Sequence, residues 1–194
     1  MKKHLIAIVF LCIALPNAHA QQWLDALKGI ATQAIDSATG GKLTQIAIVG
    51  EWHYAAPATK LSSNDTLTSL GGSAISSVVN SKIEDIATKI GIKEGLCSIT
   101  FNNDNTFSMP IAKKAIDGQY TFDAATHEIV LTIGKFANIK GKAYINGEEL
   151  QLLFPTEKFM DFIIALGSKV SALNSVTSLL EKYDNIELGL AFKK

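Results

Sequence analysis

The period of the apolar positions changes along the chain, and those changes lay out its architecture. From residue 96 onward, apolar and polar side chains alternate one for one. Cys97, Ile99 and Phe101 share one face; Phe107, Met109 and Ile111 answer them after the turn-forming Asn102-Asn103-Asp104-Asn105. Gly118, Tyr120 and Phe122 follow, and Ile129, Leu131 and Ile133 return after Asp123 to Thr126. Ile139, Ala143 and Ile145 alternate with Lys140, Lys142 and Tyr144, and Asn146-Gly147, a strong hairpin signal, leads into Leu150, Leu152 and Phe154. A last run sets Ile186, Leu188, Leu190 and Phe192 on one face. In a strand, successive side chains point to opposite faces. The pattern therefore predicts consecutive hairpins with one buried face, an antiparallel meander.

Elsewhere the period is helical. Leu67, Leu70, Ala74, Ile75, Val78, Ile83, Ile86, Ala87 and Ile90 predict a helix capped within Ser62 to Asp65 and closed by Gly91. Gly71-Gly72-Ser73 weakens that helix or bends it. After Pro155-Thr156, a helix carries Phe159, Phe162, Ile163, Leu166 and Val170, and a second short one carries Val176, Leu179, Leu180 and Tyr183. These are helical insertions at about 62–91 and 156–183 within a domain spanning 48–194. Residues 21–47 read as a leader helix through Trp23, Leu24, Leu27, Ile30, Ala34 and Ile35, ended by Gly40-Gly41. The first strand opens near Ile48 and is expected to stop at Pro57. The count is about eight strands, a number whose closed barrel encloses packed side chains or one small ligand. A last strand paired with the first removes both sheet edges.

The ends and the composition narrow what such a domain does. Lys2 and Lys3, the apolar run Leu5 to Leu15, and Ala18-His19-Ala20 form the three-part layout of a secretory signal peptide over residues 1–20. The expected location is therefore periplasmic or secreted. Bulky Phe10-Leu11 before Cys12 argue against lipidation there. The remaining chain has no apolar stretch that spans a membrane; association with the envelope surface stays open. It keeps one cysteine, Cys97, so no intrachain disulfide is available and stability rests on the core. All 18 basic residues are lysine, and the formal net charge is zero. Without the guanidinium fork and without excess positive charge, nucleic acid is a poor partner.

No catalytic constellation stands out. Glu51 and His53 sit two apart on a strand, and His127 offers a third metal ligand only if the strands meet. Exposed polar residues are the simpler reading, and no metal or cofactor is expected. Glu84-Asp85 and Glu148-Glu149 read as solvated faces. No serine lies in a Gly-x-Ser-x-Gly elbow, and Cys97 shares a face with Ile99 and Phe101 as a small buried hydrophobe. The chain reads as no enzyme.

Gly50-Glu51-Trp52-His53-Tyr54 resembles the Gly-x-Trp signature of the first lipocalin strand. Together with Ile99-Thr100-Phe101-Asn102, Gly118-Gln119-Tyr120-Thr121-Phe122-Asp123, Leu150-Gln151-Leu152-Leu153-Phe154 and Leu188-Gly189-Leu190-Ala191-Phe192-Lys193-Lys194, it is similar to a lipocalin-like family of uncharacterised bacterial envelope proteins, a domain-of-unknown-function family. The resemblance implies a mainly β fold, an antiparallel up-and-down barrel of about eight strands with Trp52 plugging one end. Lipocalins proper usually stack an arginine on that tryptophan; Lys193 or Lys194 is the available substitute. Two functions fit. In one, the inward faces hold a small apolar or amphipathic molecule such as a lipid, bound by Tyr54, Phe101, Phe107, Met109, Tyr120, Phe122, Leu131 and Phe154, with Phe159 and Phe162 as a lid. In the other, the same side chains fill the barrel and the protein is a structural or protein-interaction module.

Overall fold

A computed structural model describes residues 39–61, 66–111, 114–134, 136–168 and 186–194. The signal segment 1–20, residues 21–38 of the leader, the caps at 62–65 and the helix expected around Val176 to Tyr183 lie outside the described residues. Strands β1 (Gly50–Leu61), β2 (Ser98–Phe101), β3 (Thr106–Ile111), β4 (Lys114–Asp123), β5 (Glu128–Ile133), β6 (Phe136–Asn146), β7 (Glu149–Pro155) and β8 (Ile186–Lys193) pair in chain order. β8 returns to β1, and every pairing is antiparallel, which closes an up-and-down barrel. Helix α1 (Lys42–Ala47) precedes β1, α2 (Thr66–Ile90) connects β1 to β2, and α3 (Thr156–Ala165) follows β7.

The register turns the alternation into a core. Trp52 lies opposite Ile99, Tyr54 opposite Phe192, Leu131 between Tyr120 and Ile139, and Leu152 between Ala143 and Leu190. All of these side chains are buried. The strand ends sort the molecule into two ends. The turns at 102–105, 124–127 and 147–148 and the terminal Lys194 share the end where β1 begins. Both insertions, α2 and α3, leave from the other.

The structure corrects several expectations. Pro57 does not end β1, which continues to Leu61. A register shift between Tyr54 and Ala56 redirects the strand, and beyond it β1 pairs with β8 alone, Pro57 opposite Leu190. A strand with one unpaired edge tolerates a residue that lacks an N–H. The hairpin between β6 and β7 is offset by one residue: Asn146 pairs with Glu149, so Gly147-Glu148 is the two-residue loop, with Gly147 at φ +66. The buried face of α2 is Val79, Ile83, Ile86 and Ala87, while Val78 is 48% exposed. Spacings of four, seven and eight from Val79 follow the helical period, whereas Val78 breaks it. α2 runs through Gly71-Gly72-Ser73 as one helix. In the leader, the described helix α1 starts after Gly40-Gly41.

Gly50 matters for a different reason than close packing. A Cβ there meets only the Lys194 side chain, at an ordinary 3.9 Å, but φ is +121°, a backbone that favours glycine. Close approach is the reason at Gly141 instead. Its missing side chain gives room to the Phe154 ring, whose Cδ1 stands 2.4 Å from where a Cβ would lie.

Candidate functional site

The inward face begins at the Trp52 end. Trp52 is buried, and its indole N–H donates to the Ile48 carbonyl at 2.8 Å. A buried indole needs such a partner, and Ile48 provides it because α1 ends there. Lys194 Nζ stands 4.8 Å from the centre of the Trp52 ring. The chain thus fills, with its last lysine, the place where a lipocalin carries an arginine; burial holds that lysine below its ordinary pKa. Phe101, Phe107 and Tyr120 cluster beside this end, with ring centres 6.0 and 4.8 Å apart around Phe101. The Tyr120 hydroxyl donates to the Asn102 carbonyl, and burial raises its pKa. Phe122 is half-buried against His127, a ring on the rim rather than in the middle.

The other end is built differently. β2 has only four residues, so among the described residues no second strand continues opposite the outer half of β1. α2 packs against β1 there. Two side chains of β1 that register turns inward reach it. The Tyr54 hydroxyl donates to Glu84 Oε2 at 2.5 Å, and the Thr59 hydroxyl donates to Asn80 Oδ1 at 2.5 Å. Asn80 and Glu84 are four apart, hence neighbours on one face of the helix. Burial and then the adjacent Glu84 carboxylate push the Tyr54 pKa far up. The Tyr54 amide also bonds the carbonyl of buried Cys97, whose thiol is pushed up to about 11 by burial. Cys97 is therefore a poor nucleophile at neutral pH.

α3 covers the same end, packing on β6, β7 and β8. Phe162 stacks on Phe154 with ring centres 4.9 Å apart, and Phe159, Ile163 and Leu166 are buried with it. Because Phe154 points inward over Gly141, the apolar stripe of α3 caps the interior and does not lie on the outer wall.

The ten residues singled out from the sequence thus fall into four groups. Phe101, Phe107, Tyr120 and Phe122 gather toward the Trp52 end, Tyr54 lies beneath α2, and Phe154 and Phe162 meet, with Phe159 buried on the same helix. Met109 and Leu131 line the wall. A void wide enough for water leaves accessible surface on its walls, yet Met109, Leu131, Leu152, Phe154 and Phe162 expose 0%. In this form the described interior is filled by side chains. Asn80, Glu84 and Thr59 were not singled out: Glu84 reads as half of an acidic solvated pair. The usable signal was its spacing of one from Ile83, on the flank of the buried stripe. Glu51 and His53 are exposed, and no group of three or more metal-ligating His, Cys, Asp or Glu side chains occurs among the described residues. No helix among them is long and apolar enough to cross a membrane.

A closed eight-stranded meander with a Gly-x-Trp strand plugging one end, a cation over that tryptophan and helices over the other end defines a lipocalin-like protein. The chain belongs to the family described as lipocalin-like domain (DUF4923), whose model matches residues 25–194. Among solved structures it is similar to the crystal structure of a DUF4847 family protein from Bacteroides vulgatus ATCC 8482, at 14% identity and a TM-score of 0.39, covering 78% of this chain and 96% of that one. A comparison with curated proteins returns no match.

Proposed function

We propose that this chain is an exported, non-enzymatic lipocalin-like protein that takes a small apolar or amphipathic molecule into the helix-covered end of its barrel. The signal-peptide layout of residues 1–20 supports export. The observation that carries the binding reading is how that end is closed. α2 meets the barrel through the apolar stripe of Val79, Ile83, Ile86 and Ala87 and two side-chain hydrogen bonds, Tyr54–Glu84 and Thr59–Asn80, and not through a strand ladder. Such a cover separates from the wall without breaking the sheet. Its removal uncovers Tyr54 and Thr59, whose hydroxyls orient an amphipathic ligand at the mouth of the apolar interior that Met109 and Phe154 line.

A second reading has its own support. The absence of accessible surface on Met109, Leu131 and Leu152 suits a barrel that is permanently filled and works as a structural or protein-interaction module. Native mass spectrometry of the full purified chain separates the two. A bound lipid mass supports the first; a clean apo mass with no uptake of a lipophilic fluorescent probe supports the second. Tryptophan at Met109 occupies the space a ligand needs. A folded Met109→Trp variant that takes up the probe as well as the parent sinks the internal site.

A further inference from the structure

We propose that the outer wall of the barrel carries a separate polar site for a neutral oligosaccharide. A barrel's outside is convex, so a depression on it requires a local cause. This wall holds one of about 360 Å³, open to solvent, across β4, β5 and the start of β6. That volume is at the lower end of the roughly 300–1,000 Å³ of small-molecule sites.

Two backbone departures frame it. Asn105 in the turn between β2 and β3 has φ +64°, and Asn138 in β6 has φ +59°. Asn138 adjoins the register shift between Leu131 and Ile133 in the β5–β6 pairing. Irregularities of this kind re-aim side chains and recur beside binding sites, and asparagine is among the few residues that accept the left-handed region. The floor between them is regular: Gln119 is the cross-strand partner of Thr132, and Thr121 of Val130. At the rim, Asp104 Oδ1 accepts from the Thr106 amide at 3.0 Å and from its hydroxyl at 2.6 Å. Those bonds hold the carboxyl below its ordinary range.

The donor set selects the ligand. Among the described residues, three carboxamides, two threonine hydroxyls and one carboxylate line the depression, beside Tyr120 and Val130, and no lysine or histidine does. Phosphate and carboxylate ligands lack a cation to meet. A carboxamide presents a donor and an acceptor side by side, the arrangement that a pair of neighbouring sugar hydroxyls complements. Val130 and the threonine methyls give a narrow apolar strip for the C–H face of a ring. The depression is polar where the interior is apolar, so the two sites select different ligands, and this one does not depend on whether the barrel opens.

The test is a titration of the full chain, labelled with nitrogen-15, with a panel of neutral disaccharides: maltose, cellobiose, mannobiose and chitobiose. The expected result is saturable shifts of the amides of Asn105, Gln119, Thr121, Thr132 and Asn138 by at least one sugar, with Trp52 and Phe154 unmoved. Gln119→Ala with Thr132→Ala should weaken that binding by on the order of tenfold. Asn138→Gly keeps the left-handed backbone, removes only the carboxamide, and should weaken it in the same direction. No shift at these amides with any of the four sugars overturns the proposal, as does unchanged affinity in folded Asn138→Gly.

Discussion

The two ends of this barrel are closed by different means. At the Trp52 end, short turns, the C-terminal lysine and an indole bonded to the chain just before β1 are all continuous with the strands they cover. At the other end β2 stops after four residues, and two helices fill in. Their attachments are an apolar stripe each, with α2 adding two side-chain hydrogen bonds to β1. The difference teaches that closure of the sheet and closure of the interior are separate problems. The sheet closes through β8 and β1 whatever the helices do. The interior is shut at one end by the sheet's own residues together with α1, where Leu43, Ala47 and the following Ile48 are buried, and at the other by the two helices that the proposed binding would displace.

That contrast is open to attack by substitution. Trp52→Ala should cost about 3–5 kcal/mol, as a large-to-small core change at a position with no slack around it. A chemical melt that finds a loss under about 1 kcal/mol means Trp52 is not the plug. Tyr54→Phe removes the hydroxyl that holds Glu84 and should cost about 1.5 kcal/mol, the low end for hydrogen bonds to charged groups, since Glu84 is half-solvated. The same variant should leave the Trp52 fluorescence of the folded state unchanged. A changed emission shows that the two ends are coupled and breaks the comparison.

A pH effect follows from the same helix-covered end. Burial raises the Cys97 thiol from 9.0 to about 11 and raises Tyr54 from 10.0. Both groups are favoured neutral in the folded state. Their stabilisation is complete below the unfolded values and is lost as pH rises, starting near pH 9 and continuing through about pH 11 for Cys97. Denaturant midpoints measured across that window should fall in the parent and fall less in Cys97→Ala. Equal slopes in the two contradict the assignment. The smallest effect is expected at Lys194→Ala, about 0.5–1 kcal/mol for one partly exposed cation over an indole, read as a melting shift that high salt reduces.

How much of this was legible depends on which contacts are local. The alternation at 97–111, 118–133 and 139–154 records the strands directly, because each inward residue needs only its own position in the pleat. Trp52 at a barrel end and a lysine over it were likewise within reach, since an all-lysine chain leaves no other cation. Pro57 misled because its tolerance depends on the missing partner beyond β2, a fact of tertiary pairing. Val78 was preferred to Val79 because both are equally apolar, and only the phase of the packed helix distinguishes them. The Tyr54–Glu84 and Thr59–Asn80 pairs are separated by 30 and 21 residues; nothing in either segment announces the other. The polar depression on the outer wall was also hidden, because its residues read as an ordinary solvated face until Asn138 proves to lie at a register shift.

The central claim is that the helix-covered end opens without the barrel. Hydrogen exchange of the full chain under native conditions tests it most directly. Amides of residues 79–90 in α2 are expected to exchange through a local opening of lower free energy than amides of Trp52, Ile99 and Leu152, and Tyr54→Phe to lower the α2 value alone. Exchange of α2 only through global unfolding, at the same free energy as the strands, contradicts it.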